Sequence, residues 1–149
     1  MKIIADQNIP WLQGRLEKAG VDMTYVDQWG FTPELARDAD ALLIRTRTRC
    51  DEKLLQGSSV RLVATATIGT DQIDLDWCGA NGIAVANAPG CNAPGVAQYV
   101  WSALLRSGFD PAKDTLGIVG CGNVGSIVLE WGRKLGVCLL YTSPSPRDS

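Results

Sequence analysis

The 149-residue sequence contains no histidine, and that absence restricts its chemistry before any motif is considered. A histidine general base, a histidine metal ligand and a Ser-His relay are all excluded within these residues. Excess positive charge is missing too. With 14 Lys and Arg against 16 Asp and Glu, the net charge of −2 does not suit a strongly basic nucleic-acid binder. No apolar run approaches the roughly 20 residues of a membrane helix, and the start Met1-Lys2-Ile3-Ile4-Ala5-Asp6 lacks the long apolar core of a signal peptide. The cysteines Cys50, Cys78, Cys91, Cys121 and Cys138 are odd in number and lack C-x-x-C spacing, which argues against a disulfide framework or a zinc site. These absences predict a cytoplasmic protein with reduced thiols, no metal site and neither a nucleic-acid nor a membrane partner. What is present, 46% hydrophobic and 20% charged residues, suffices for one soluble core of typical domain size.

The chain reads as short apolar segments alternating with helix signals. Lys2 to Ala5, Met23 to Val26, Ala41 to Ile44, Arg61 to Thr65 and Ile83 to Ala86 are the expected strands. The unbroken run Ala41-Leu42-Leu43-Ile44 suits a strand buried on both faces. Asn8 with Pro10 predicts a helix over Trp11 to Ala19 ended by Gly20. Thr32 with Pro33 predicts a short helix, Asp51 a capped turn through Leu55, and Ile73 to Ala80 a helix stopped by Asn81-Gly82. Strands that alternate with helices give a parallel sheet, because parallel neighbours need crossover connections. The fold class is therefore α/β.

Asn87-Ala88-Pro89-Gly90 is a turn cluster, after which Asn92 is placed to cap a helix over Ala93 to Ser107. Ser107-Gly108-Phe109-Asp110-Pro111 reads as a boundary, and a second unit opens with a strand Leu116 to Val119 and a helix Asn123 to Leu135, stopped by Gly136. The expected organisation is residues 1–110, including the linking helix, then 111–137 as the start of a second domain, then a tail at 138–149. That tail, Cys-Leu-Leu-Tyr-Thr-Ser-Pro-Ser-Pro-Arg-Asp-Ser, changes character abruptly. It resembles one reading frame of a transposase mosaic-end sequencing adapter and is expected to be non-native. Val137 to Tyr141 has the pattern of a strand whatever its origin.

The strongest local motif is Gly120-Cys121-Gly122-Asn123-Val124-Gly125. It has G-x-G-x-x-G spacing between a strand and a helix, the context in which the pattern signals dinucleotide binding. Gly120 permits the tight turn, Gly122 lets a pyrophosphate approach the backbone, and Gly125 lets the helix pack closely. Asn123 and Val124 contribute backbone donors at the helix N-terminus. The acidic ribose partner expected about 20 positions on falls in the tail, near Thr142 and Ser143, so the choice between NAD and NADP stays open.

A second cluster, Ala64-Thr65-Ala66-Thr67-Ile68-Gly69-Thr70-Asp71-Gln72-Ile73-Asp74, lies between a strand end and a helix start. There the Thr67 hydroxyl and the N–H groups around Ile68 and Gly69 suit an anion. Asp71 and Asp74 read as helix caps rather than paired catalytic carboxylates. Arg45-Thr46-Arg47-Thr48-Arg49 follows the buried strand and reads either as a solvated basic loop or as an anion site beside Thr67. Trp11, Trp77, Trp101 and Trp131 sit at helical core spacing, and Trp29 in a loop. Cys91 has no histidine to activate it and is expected to be a buried structural thiol.

In this order, the features resemble the D-isomer-specific 2-hydroxyacid dehydrogenases. They are Met1 to Asp6 with Asn8 and Pro10, Asp40-Ala41-Leu42 leading to Arg45-Thr46, Thr65 to Asp71, Ala88-Pro89-Gly90-Cys91-Asn92 and Gly117 to Gly125. The resemblance spans Met1 to Val137. It implies a flavodoxin-like substrate domain followed by the start of a Rossmann NAD-binding domain. It also implies NAD held at Gly120, Gly122, Asn123, Val124 and Gly125, and a small phosphorylated hydroxy acid contacted by Thr46 and Thr67, with Arg45 a further contact. The family's histidine base, its glutamate partner and its carboxylate-binding arginine would all lie beyond Val137, so no catalytic residue is expected in this chain. A homodimeric full-length enzyme is implied as well. The alternatives are a different hydroxy acid within the family and a non-catalytic anion-binding module.

Overall fold

The computed structural model describes residues 1–142, and the remainder of the expected tail, 143–149, lies outside them. Two compact units form, one from Met1 to Pro89 and one from Gly90 onward.

In the first unit, β1 (Lys2–Asp6), β2 (Asp22–Val26), β3 (Ala41–Ile44), β4 (Leu62–Thr65) and β5 (Ala84–Ala86) form an all-parallel sheet in the order β2-β1-β3-β4-β5. This is the flavodoxin-like order, with its topological switch between β1 and β3. The apolar run of β3 sits mid-sheet, where Ala41, Leu42 and Ile44 are at most 3% exposed. Ile4, Val63, Leu55, Cys50 and Cys78 complete the same core. Burying one such leucine or isoleucine contributes about 2 kcal/mol.

Short helices connect the strands, and their starts follow the side-chain chemistry. Thr32 Oγ1 accepts the Leu35 N–H at 3.3 Å to open α1 (Pro33–Ala36), and Asp51 Oδ1 accepts that of Lys53 at 3.1 Å to open α2 (Glu52–Leu55). Asp74 Oδ1 accepts the Trp77 N–H at 2.9 Å at the head of α3 (Leu75–Ala80). Asp71 does not share this role: among the described residues no helix N–H bonds to it, and Ile73 instead pairs with Cys50 in an isolated bridge. Asp40 bridges strand ends, accepting the Lys2 N–H at 2.8 Å and the Arg61 guanidinium at 3.0 Å. The Lys2 N–H first, and then Arg61, hold its carboxyl below the usual 3.8.

The helix expected over Trp11 to Ala19 does not form. Only a 3₁₀ turn, Glu17–Ala19, is present, ended by Gly20 in the left-handed region. Trp11 at φ 63° and Gly14 at φ 76° break the helical path. The segment offers only Leu12 and Leu16 as half-buried apolar anchors, too little to offset the cost of helix nucleation. Trp11 is accordingly 84% exposed rather than a core residue, and Trp29 is 70% exposed in its loop, as expected.

The second unit comprises α4 (Ala93–Arg106), β6 (Thr115–Val119), α5 (Asn123–Lys134) and β7 (Cys138–Thr142), with β6 and β7 paired in parallel. Its core joins Ala97 and Trp101 of α4 to Val128 and Val137. The Trp101 indole donates to the Val128 carbonyl at 3.3 Å and meets Phe109 edge-on at 6.2 Å. The compact units thus divide at Pro89, ahead of the linking helix, whereas chain punctuation marks the end of that helix near residue 110. The expected side-chain cap at Asn92 is absent. Asn92 already has helical backbone angles, φ −99° and ψ −3°, and the Ala93 N–H is taken by the Gly90 carbonyl at 3.0 Å. In β7, Leu139 packs on the core while Leu140 is 67% exposed, so a single inward apolar residue suffices to lay the strand on β6. Val119, at 94% exposure, leaves an apolar surface on β6.

Candidate functional site

The glycine loop has the geometry of an anion cradle. Gly120 has φ 90°, which favours glycine, and a Cβ on Gly125 would lie 2.1 Å from the Gly120 carbonyl oxygen. Helix and loop therefore approach as closely as they do because residue 125 has no side chain. The helix behind the loop starts at Gly122 with no side-chain cap. In any α-helix the first-turn N–H groups lack intrahelical acceptors, so those of Asn123, Val124 and Gly125 point outward with the positive end of the helix dipole. Ser126 Oγ donates to the Cys121 carbonyl at 2.6 Å and ties the loop to the helix it precedes, a tether the sequence reading did not single out. The Gly120 N–H donates to Thr142 Oγ1 at 3.2 Å, so Thr142 occupies the strand end at which the dinucleotide fingerprint places an acidic ribose partner. Open N–H groups, a close backbone and no competing cap fit a dinucleotide pyrophosphate.

The Thr67 loop is built differently. β3 and β4 run in register, Ile44 opposite Thr65, so the residues that follow leave adjacent strands at one sheet edge. That places Arg45-Thr46 beside Ala66-Thr67, and the Ala66 N–H donates to the Ile44 carbonyl at 2.9 Å. Thr67 Oγ1 donates to the Gly69 carbonyl at 2.9 Å, lies 2.6 Å from Thr65 Oγ1 and is 3.2 Å from Gln72 Nε2. Asn87 Nδ2 donates to the Ile68 carbonyl at 2.7 Å and the Ala88 N–H to that of Thr67 at 3.2 Å, so the end of β5 clamps the loop. Among the described residues the N–H groups of Ile68 and Gly69 bond no carbonyl or side chain. Thr65 and Gln72 were not singled out from sequence. The i, i+2 spacing of Thr65 and Thr67 at a strand end was the available signal, since it puts both hydroxyls on one face.

The arginine cluster is divided. Arg45 is half-buried, while Thr46 and Arg47 form an exposed turn. Thr48 is 3% exposed and donates to the Gln28 carbonyl at 3.4 Å. Arg49 pairs with Asp51 at 3.0 Å. Among the described residues the ion pairs engage Arg49, Arg61, Lys113 and Lys134, leaving the positive charges of Arg45 and Arg47 available at the edge.

Burial pushes the Cys50 thiol up to about 12, with smaller contributions from Cys78 and Asp51, and it raises Cys78 as well, so both are inert core thiols. Cys91, expected to be buried, is exposed, because its turn lies outside the α4–α5 core. The described residues contain no group of three or more Cys, Asp or Glu able to hold a metal ion, and no helix long and apolar enough to cross a membrane.

Residues 4–143 match the family model for the D-isomer specific 2-hydroxyacid dehydrogenase catalytic domain. The chain is 52% identical to an erythronate-4-phosphate dehydrogenase of Bacteroides fragilis, over 99% of this chain and 43% of that protein. It is 41% identical to the enzyme of that name from Porphyromonas gingivalis, again over 99% of this chain and 41% of the relative. The chain thus spans less than half the length of these curated relatives. Among solved structures, the NAD+-bound 3-phosphoglycerate dehydrogenase of Entamoeba histolytica matches with a TM-score of 0.71 and 29% identity, over 97% of this chain and 54% of that one. The NAD complex of a D-isomer specific 2-hydroxyacid dehydrogenase from Lactobacillus delbrueckii ssp. bulgaricus shares the fold, with a TM-score of 0.74 at 17% identity over 99% of this chain and 55% of that one.

Proposed function

The chain belongs to the D-isomer specific 2-hydroxyacid dehydrogenase family, and on that premise we propose that it is the N-terminal part of an NAD-dependent erythronate-4-phosphate dehydrogenase. The complete enzyme would oxidise 4-phospho-D-erythronate to (3R)-3-hydroxy-2-oxo-4-phosphooxybutanoate, a step towards pyridoxal 5'-phosphate, in the cytoplasm and as a homodimer. The observation that carries this reading is the near-continuous likeness to enzymes of that name.

We assign residues 1–110 to the substrate domain with its linking helix, and 111–137 to the start of the cofactor domain. The tail 138–149 we read as adapter-derived. In the cofactor domain the N–H groups of Asn123, Val124 and Gly125 hold the pyrophosphate, and Gly120 and Gly122 let it reach the backbone. In the substrate domain Thr46 and Thr67 contact the anionic groups of the acid, and Arg45 supplies positive charge beside them. Bound NAD would supply the hydride acceptor. With zero histidines, this chain holds no histidine to take the hydroxyl proton, so by itself it binds ligands without turning them over.

The test starts at the nucleotide sequence after codon 137. Adapter identity is expected there, and codons unrelated to any adapter would remove that part of the reading. The completed enzyme, recovered from an overlapping read, is then assayed for NADH formation. Faster turnover of 4-phosphoerythronate than of 3-phosphoglycerate is expected. The reverse order would favour the second reading, a phosphoglycerate dehydrogenase, which the likeness to the Entamoeba histolytica enzyme supports.

A further inference from the structure

The hydrogen-bond directions around Thr67 are fixed by counting protons. A threonine hydroxyl has one proton and two acceptor positions, and a carbonyl can only accept. The 2.9 Å contact with the Gly69 carbonyl therefore holds the Thr67 proton. The 2.6 Å contact between hydroxyls must then be donated by Thr65. The two amide protons of Gln72 go one to Thr65 Oγ1 at 2.9 Å and one to Thr67 Oγ1 at 3.2 Å. Turning the amide over would face its oxygen to both hydroxyls, whose two protons cannot serve it, the Gly69 carbonyl and the 2.6 Å contact together. In the resulting network Thr67 Oγ1 accepts twice and donates once, and none of its positions is left over.

We infer that Thr65 and Gln72 are positioning residues for Thr67, and that an anion binds this loop by taking the Thr67 proton from the Gly69 carbonyl. The inference rests on the reading of Thr67 as a substrate contact. Thr65 is 4% exposed, so it acts on a ligand only through Thr67. The two donated bonds fix the Thr67 oxygen and polarise its O–H, which strengthens it as a donor to negative charge. Binding then requires the ligand oxygen to replace the Gly69 carbonyl along the same O–H direction, because turning the hydroxyl would aim its proton at the donors Thr65 and Gln72. Gly69 is exposed, and its released carbonyl is met by water. No covalent bond changes and no proton leaves its oxygen.

The experiment is a titration of the 149-residue chain with 4-phosphoerythronate, followed by heteronuclear NMR of the loop amides. The wild-type chain is expected to saturate and Thr67→Val to lose binding. Thr65→Val and Gln72→Leu should each bind about tenfold more weakly, the effect of losing one hydrogen bond from the network that holds the Thr67 donor. Thr65→Ser, which keeps the hydroxyl, should bind as wild type, and a purely packing role for Thr65 would not produce that rescue. Amide positions outside the loop report whether each variant is folded. Gln72 is only half-buried, so Gln72→Leu decides the matter if Thr65→Val does not fold. If wild type binds, Thr67→Val does not, and both positioning variants bind within about twofold of wild type, this inference falls alone. If wild type shows no saturable binding, the substrate role of Thr67 falls first and takes the inference with it.

Discussion

The two candidate anion loops solve one problem in opposite ways. At Gly120 to Gly125 the donors are backbone N–H groups with no side-chain cap, and the loop presents them already unpaired. At Thr65 to Gln72 the hydroxyl donor is engaged within the loop and must be exchanged before it meets a ligand. The first loop resembles a fixed cradle and the second a closed circuit. A cradle of backbone depends on glycine spacing and on the helix behind it. A circuit of side chains depends on where several separate residues come to rest. Helix α3 adds the contrast within the second loop, since the Asp74 side chain caps the first-turn N–H of Trp77 while α5 has no side-chain cap.

Gly125→Ala is the strongest attack on the cradle. Its Cβ would meet the Gly120 carbonyl oxygen at 2.1 Å, a contact that only backbone movement relieves. We expect a loss of about 3 kcal/mol in unit stability, the upper range for overpacking, together with loss of NAD binding, both read from thermal melts with and without NAD. Unchanged melting and binding would show that the loop has slack and that the close approach is not what shapes it.

Asn123→Pro is gentler and more selective. Proline suits the first helical position, and the extended ψ of −156° at Gly122 accommodates it. The substitution deletes one outward N–H and leaves the helix in place. NAD affinity should fall by about 1 kcal/mol, measured by calorimetry, with helical circular dichroism unchanged. Equal affinity would mean that this N–H does not face the ligand.

Asp74→Ala opens the Trp77 N–H that the second loop keeps capped. Its cost should be about 1 kcal/mol of stability, measured by urea denaturation of the chain, with no new affinity for inorganic phosphate. A gain of phosphate binding would erase the contrast, because it would show that an uncapped helix start alone makes a site here.

Some of this was legible from residues alone because the causes are local. The run Ala41 to Ile44 requires burial, Thr32-Pro33 and Asp51 carry their own caps, and G-x-G-x-x-G fixes a turn whatever surrounds it. Where the expectation failed, the deciding partner was distant or missing. The segment Trp11 to Ala19 carries helix signals but too few apolar residues facing a core. Asn92 lost its capping role because Gly90 had already closed the turn. Asp71 and Asp74 look alike in sequence, yet only Asp74 meets a helix N–H.

The sequence by itself determined the strand order's raw material, the glycine cradle and the family, since each rests on residue type at short, fixed spacing. Tertiary structure alone decided which hydroxyls Gln72 reaches, that Thr48 turns inward while Arg45 and Arg47 stay at the edge, and that Cys50 and Cys78 are inert while Cys91 is exposed. Proton counting works only once the oxygens have positions, and those positions come from the register of β3 on β4 and the clamp of β5 on the loop. Spacing along a chain specifies backbone geometry, whereas a network of side chains exists only after remote segments have packed together.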